Sequence, residues 1–179
     1  MSKAYYGSSK VALYYGNRRI KAAYLGDTLI YNLYSQAATT VTYHVDTNES
    51  HQVTVTDTSK ILSPTSFTPA KTGYTFVGWR TNSTASSDVL TTATSAITTL
   101  YAVFRKSITL TYNGNNSTGG STAAETKYQY YNNGNSSAAP TFTVKANGFT
   151  RTDYSFVWWS SSTTQYNPGD SVTLSANTT

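Results

Sequence analysis

Apolar and polar residues alternate in short stretches along this chain, and glycine and asparagine break the stretches apart. Residues 4–34 alternate through Val11, Leu13 and Tyr15, then Ile20, Ala22 and Tyr24, then Leu29 and Tyr31. Gly7, Gly16 and Gly26 punctuate them, nine and ten residues apart. Period-two alternation interrupted by Gly16-Asn17 and Gly26-Asp27 predicts successive β-hairpins. A sheet of about 30 residues is too small to bury a stable core alone. It is therefore expected to pack on its own copies or on another protein. Ser35-Gln36-Ala37-Ala38-Thr39-Thr40 reads as a small, polar linker.

Beyond the linker the pattern is written twice. Thr72-Gly73-Tyr74-Thr75-Phe76-Val77-Gly78-Trp79 returns as Thr152-Asp153-Tyr154-Ser155-Phe156-Val157-Trp158-Trp159, at an offset of 80. Thr98-Thr99 and Thr178-Thr179 keep that offset. A fixed internal period marks one module used twice. Copy one, 41–106, predicts strands at Val41–Val45, Val53–Thr56, Tyr74–Trp79 and Leu100–Phe104. Pro64 and Pro69 place Phe67 in a loop.

Copy two, 107–179, opens with Ile108–Tyr112. Tyr112 lies 69 residues after Tyr43, so eleven residues are inserted before the second Trp motif. The run Asn113–Ala138, with Tyr128, Tyr130 and Tyr131, is the expected site, as a longer hairpin tip. Thr179 is the counterpart of Thr99, so a counterpart of Leu100–Phe104 is absent. The leading expectation is that these residues belong to a longer protein. A strand supplied by a neighbouring molecule and a naturally short repeat are the alternatives.

Composition agrees with the pattern. Thr contributes 33 residues and Tyr 16, and charged residues are only 12%. Such a chain favours pleated, half-buried surfaces over helices. Without Cys there is no disulfide framework, thiolate metal site or Cys nucleophile. Most of the net charge of +5 sits at the front. Residues 1–40 carry five basic side chains against Asp27, while the rest carry eight basic and seven acidic ones. This reads as a solvated face or as a docking surface for an acidic partner. The nearly neutral repeats argue against specific nucleic-acid binding. No apolar stretch approaches the ~18 residues of a membrane span, and Met1–Gly7 lacks the apolar core of a signal peptide.

The order of opening strand, Gly73-Tyr74-x-Phe76-x-Gly78-Trp79 and Thr99-Leu100-Tyr101-Ala102 resembles the Listeria–Bacteroides repeat, also known from internalin B repeats. In copy two, Asp153 replaces Gly73 and Trp158 replaces Gly78. The resemblance implies small β-grasp-like modules in extended surface proteins, with adhesion or display rather than catalysis. Arg18–Asn32 is similar to a short segment of tailed-phage structural proteins, of the form x-I-K-x-x-Y-x-G-D-x-x-V-Y. The expected fold is mainly β, with a small N-terminal hairpin module (1–34) followed by two tandem β-grasp-like or Ig-like-sized repeats.

Chemistry-bearing residues are sparse. His44 and His51, near Asp46 and Glu49, read as solvated hairpin residues rather than metal ligands. No Gly-x-Ser-x-Gly elbow, phosphate-binding glycine loop or carboxylate pair stands out. No enzyme, metal or cofactor is expected. Trp79 and Trp159 recur at one position, as core anchors do. Trp158 alternates with Trp159, so one of the two should face outward.

The expected receptor contacts are Tyr128, Tyr130, Tyr131 and Trp158, facing a host glycan or protein. Tyr5, Tyr6, Tyr14, Tyr15, Arg18, Arg19, Lys21, Tyr24 and Tyr31 exceed what so small a sheet can bury, and tyrosine and arginine are residues that interfaces favour. They are expected to dock onto other virion proteins, of capsid or tail. The expectation is a homo-oligomeric phage virion protein, assembled in the host cytoplasm and not inserted in membrane. A bacterial surface adhesin with spacer repeats is the alternative.

Overall fold

The computed structural model describes residues 38–179, together with the backbone of four short strands nearer the N-terminus. Those four are β1 (Tyr14–Tyr15), β2 (Arg18–Arg19), β3 (Ala22–Leu25) and β4 (Thr28–Asn32). They pair antiparallel as two successive hairpins, β1 with β2 and β3 with β4. Gly16-Asn17 and Gly26-Asp27 are the residues between the partners, as the alternation requires.

Copy one comprises β5 (Thr39–Asp46), β6 (Glu49–Val55), β7 (Thr75–Arg80) and the 12-residue β8 (Thr99–Leu110). Thr39 and Thr40, read as linker, already belong to β5. The hairpin β5–β6 turns over Thr47-Asn48. β7 lies antiparallel to β8. β5 runs parallel to β8, with Tyr43 opposite Leu100. That parallel pairing of first and last strands is what a β-grasp-like module requires. The long crossover between them holds one 3-10 turn, Thr58–Lys60, capped by the Asp57 carboxylate on the Ser59 N–H.

β8 does double duty. Its first half closes copy one, and its second half opens copy two. The 106/107 boundary read from sequence therefore falls inside a continuous strand. Copy two continues with β9 (Gly119–Gly120), β10 (Glu125–Asn132), β11 (Asn135–Ser136), β12 (Thr141–Thr143), β13 (Phe149–Thr150), β14 (Trp159–Ser161), β15 (Thr164–Tyr166) and β16 (Ser171–Thr173). β10 pairs antiparallel with β8 from Val103 to Leu110, reaching back past the junction into copy one. The main sheet runs β11-β10-β8-β5-β6, with β7 on the other side of β8.

The insertion is where the offsets placed it, but only part of it is a loop. Residues 113–124 replace the two-residue turn of copy one, and Tyr128, Tyr130 and Tyr131 lie on a strand rather than at a hairpin tip.

Each copy has its own core. In copy one Val41, Tyr43, Val45, Ile61, Trp79, Leu100, Ala102 and Phe104 are buried. In copy two Ile108, Leu110, Tyr112, Phe142 and Val144 are buried. The two Trp residues sit in matching aromatic frames. Trp79 meets Tyr43 at 5.0 Å, Phe76 at 5.2 Å and Phe67 at 6.1 Å between ring centroids. Trp159 meets Tyr112 at 4.8 Å, Phe156 at 5.0 Å and Phe149 at 6.1 Å. Inclined pairs of this kind add about 0.5–1.5 kcal/mol each beyond area burial. The recurrent Trp is thus a core anchor in both copies.

The turn before each Trp motif also repeats. The Tyr74 N–H donates to Lys71 O at 3.0 Å, and the Tyr154 N–H to Arg151 O at 3.1 Å. Gly73 (φ 78°) and Asp153 (φ 64°) take the same left-handed position. Aspartate tolerates that position at some cost, and glycine takes it freely.

Candidate functional site

The copies differ in what covers the Trp motif. In copy one β7 is zipped to β8, so Phe76 sits opposite Phe104 and Trp79 opposite Ala102. Its turn is capped by the next repeat, through Tyr131 on β10. The Tyr131 ring packs 5.9 Å from Tyr74, and the Lys71 ammonium lies 3.8 Å from the Tyr131 ring centre. The Tyr131 hydroxyl donates to Asp46, which also accepts from Lys71 at 2.8 Å and from the Thr47 N–H at 2.8 Å.

This cluster couples its charges. Burial pushes the Asp46 carboxyl up, but hydrogen bonds from Lys71, Tyr131 and Thr47 hold it below its ordinary 3.8. The bond to Asp46 lifts Lys71 above 10.5, against opposing burial. Burial first, and the Asp46 acceptor second, raise Tyr131 above 10.0.

A second tie between the repeats is Asn132, which is fully buried. Its amide donates to Asn82 O at 3.0 Å and Thr84 O at 3.2 Å. Beside it, Asn135 donates to Ser83 O at 3.0 Å. The hairpin of copy two thereby grips the 81–84 loop of copy one.

The matching surface of copy two is open. Arg151 stacks over Tyr154 at 4.0 Å and donates to Asn115 O at 3.4 Å, in the places of Lys71, Tyr74 and Asp46. Nothing among the described residues caps it. Residues 152–158 form no strand, and Tyr154 (66%), Phe156 (40%), Val157 (63%) and Trp158 (47%) are exposed. Beneath them lies a groove of about 1030 Å³ floored by Tyr112, Phe149, Trp159 and Val172. Contiguous exposed apolar surface of this kind marks an interaction site.

Trp158 occupies the position of Gly78. In copy one that position is a bulge (φ 156°), and a Cβ there would lie 3.0 Å from Val89. The sequence predicted that one of the paired Trp faces out, and the outward one is Trp158. The other expected contacts divide. Tyr128 and Tyr130 share one face of β10, while Tyr131 is on the other. Tyr128 is exposed and lies against the Arg105 guanidinium at 4.3 Å. Tyr130 is half-buried, and Tyr131 is committed to the contact between repeats. The four therefore do not act as one surface.

Residues 40–103 match the Listeria-Bacteroides repeat domain. That range is copy one, from β5 to the middle of β8. No curated protein and no solved structure matches the chain. Copy two lies outside that match and shares with copy one the register of the Trp motif, the turn before it and the aromatic frame.

His44 and His51 do not converge. His51 pairs opposite Tyr43 and stacks on Phe67 at 4.1 Å, whereas His44 faces the other way and stacks on Tyr101 at 4.8 Å. Among the described residues no group of three His, Asp or Glu side chains could hold a metal ion, and no helix is long and apolar enough to cross a membrane.

Of the expected docking residues, Tyr14, Tyr15, Arg18, Arg19, Tyr24 and Tyr31 lie on β1–β4, with Tyr14 opposite Arg19 and Tyr15 opposite Arg18. Tyr5, Tyr6 and Lys21 lie outside the described residues. The sequence did not single out Tyr154, Phe156 and Val157 as exposed, nor Asn132 as an inter-repeat tie. Tyr154, Phe156 and Val157 keep the register of half-buried copy-one residues, and only the three-dimensional pairing separates the two environments.

Proposed function

We propose that the chain is a non-enzymatic structural and adhesion protein of a tailed-phage virion. Residues 1–34 dock on capsid or tail protein, and the two repeats stand outward as one stiff unit that contacts a host-surface glycan or protein. The observation that carries the reading is Trp158, exposed beside Tyr154 and Val157 at the position where copy one has Gly78 packed against Val89. An exposed aromatic face held on a rigid scaffold suits recognition. The N-terminal hairpins, dense in Tyr and Arg, suit docking. The assembly is homo-oligomeric and works without cofactor, specific nucleic acid or membrane insertion.

The test uses particles lacking this protein. Residues 1–40 fused to a reporter bind them, and residues 41–179 do not. The reverse outcome overturns the polarity, and no binding by either overturns virion docking. The second reading, a bacterial surface adhesin with spacer repeats, is favoured by the match of residues 40–103 to the Listeria-Bacteroides repeat domain. Neighbouring capsid or tail genes favour the virion, and a cell-wall anchor in the same reading frame favours the adhesin.

A further inference from the structure

The chain enters copy one along β5 and leaves it along β8, which runs on unbroken into copy two. Tension along the chain therefore passes through these two strands. They are parallel neighbours, with Thr42 opposite Thr99, Tyr43 opposite Leu100 and His44 opposite Tyr101. The Thr42 N–H bond to Thr98 O at 2.9 Å lies in the same row. Pulling the start of β5 away from the far end of β8 loads this row lengthwise, in shear. Bonds loaded side by side must give way together, whereas bonds peeled from one end give way one after another. β6 pairs with β5, while β7 and β10 pair with β8, so two blocks of sheet meet along the β5–β8 line. The Tyr43–Trp79 contact at 5.0 Å and the His44–Tyr101 stack at 4.8 Å cross that line as well. β7 occupies one edge of β8 from Tyr101 to Arg105, so β5 and β10 share the other edge, one following the other. The end of β10, with Tyr131 opposite Phe104, thus abuts the end of β5. There the Tyr131 hydroxyl donates to Asp46, the last residue of β5, and Lys71 holds the same carboxylate from the β7 side at 2.8 Å.

We propose that copy one is a load-bearing clamp. β5 and β8 resist tension along the chain in shear, and Asp46, held by Tyr131 and Lys71, locks the clamp to the second repeat. Sliding β8 away from β5 carries β7 and β10 with it, so it pulls both donors off Asp46 at the moment the shear row is loaded. A protein docked at one end and attached to a surface at the other needs such an element, because the pull between the two reaches it through its backbone. That use rests on the tethered reading given above, in virion or adhesin alike. The mechanics rest on strand order alone.

The chain has no cysteine, so introduced pairs give unique handles on the full protein. Thr40, Thr98 and Ser107 are all exposed. Optical tweezers hold single molecules at constant force through one of two pairs. Thr40→Cys with Ser107→Cys loads the clamp in shear. Thr40→Cys with Thr98→Cys peels β5 from β8, starting at the end where both strands begin. Lifetime under force reads the unfolding rate, and the sheared molecule should outlast the peeled one by at least about tenfold at equal force. Tyr131→Phe keeps the ring and removes the hydroxyl from Asp46. It should shorten the sheared lifetime by about threefold, the worth of one hydrogen bond. It should leave the peeled lifetime unchanged, since Asp46 lies at the far end of β5 from the peeling front. Equal lifetimes for the two pairs overturn the clamp. A Tyr131→Phe loss that is equal in both geometries is general destabilisation and overturns the lock, as does no loss in either. Purified chain suffices for every arm, so these failures are distinct from a failure of virion docking.

Discussion

Replacing Asn132 with alanine tests how firmly the second repeat grips the first. The side chain is fully buried, and its amide donates to Asn82 O at 3.0 Å and Thr84 O at 3.2 Å. Each such bond contributes about 0.5–1.5 kcal/mol net, and a carbonyl left without its donor costs more the less water reaches it. Asn82 and Thr84 are both exposed residues, so water compensates in part. The substitution also removes Asn132 Oδ1, which is buried without a hydrogen-bond donor. That loss offsets part of the damage. The net expectation is a destabilisation of about 1–2 kcal/mol. With an m-value of about 2 kcal/mol/M, the urea midpoint falls by roughly 0.5–1 M at unchanged m. Exchange at residues 81–85 should accelerate alongside. Asn135→Ala, which removes one exposed bond to Ser83 O, should cost under about 0.5 kcal/mol, as surface changes usually do. A midpoint for Asn132→Ala within error of the parent, or one moved upward, would refute the reasoning.

Other expectations follow from the repeated turn, the bulge and the charge cluster. Asp153→Gly relieves a left-handed aspartate (φ 64°) and should stabilise by about 0.5–1 kcal/mol, read as a higher Tm; an unchanged or lower Tm would contradict the turn geometry. Gly78→Ala places a Cβ 3.0 Å from Val89 at φ 156°, so a loss of about 1–3 kcal/mol is expected in chemical denaturation. For pH, the depressed Asp46 carboxyl contributes stability that is present above its unfolded value near 3.8 and lost as pH falls through its lower folded value. The raised Lys71 and Tyr131 contribute stability present below about 10 and lost as pH rises through their folded values. Urea midpoints should thus be flat between these limits and fall on both sides. Asp46→Asn should remove most of the acid-side loss in excess of the other carboxylates; an unaltered profile would show that the cluster does not couple to folding.

The sequence was most legible where one physical constraint acts locally. Alternation and Gly-Asn or Gly-Asp pairs gave the N-terminal hairpins, because strand pleat and turn chemistry are short-range. The offset of 80 picked out Trp79 and Trp159 as anchors, because each fills the same frame. The offset of 69 equated Tyr43 with Tyr112, and both do pack on those Trp rings. Phe67 and Phe149 escaped, since they lie 82 apart in loops of different length, yet they meet their Trp at the same 6.1 Å. Long-range pairing escaped too. Nothing near Tyr131 in sequence shows that β10 runs back along β8 to cap Asp46 and Lys71, so a residue expected at a receptor surface is instead an internal tie. The domain boundary at 106/107 failed to appear as a break for the same reason. Two predicted strands, Leu100–Phe104 and Ile108–Tyr112, are separated by polar Arg105-Lys106-Ser107, which reads as a connection but is held in the ladder by β10.

That junction offers the most direct measurement. If the two repeats are fused through β8, the amides of Arg105, Lys106 and Ser107 that bond to β10 exchange with deuterium as slowly as those of Phe104 and Ile108 on either side. Exchange of 105–107 at the rate of an unstructured chain, while Leu100–Phe104 and Ile108–Leu110 stay protected, would show two modules joined by a linker and contradict the account.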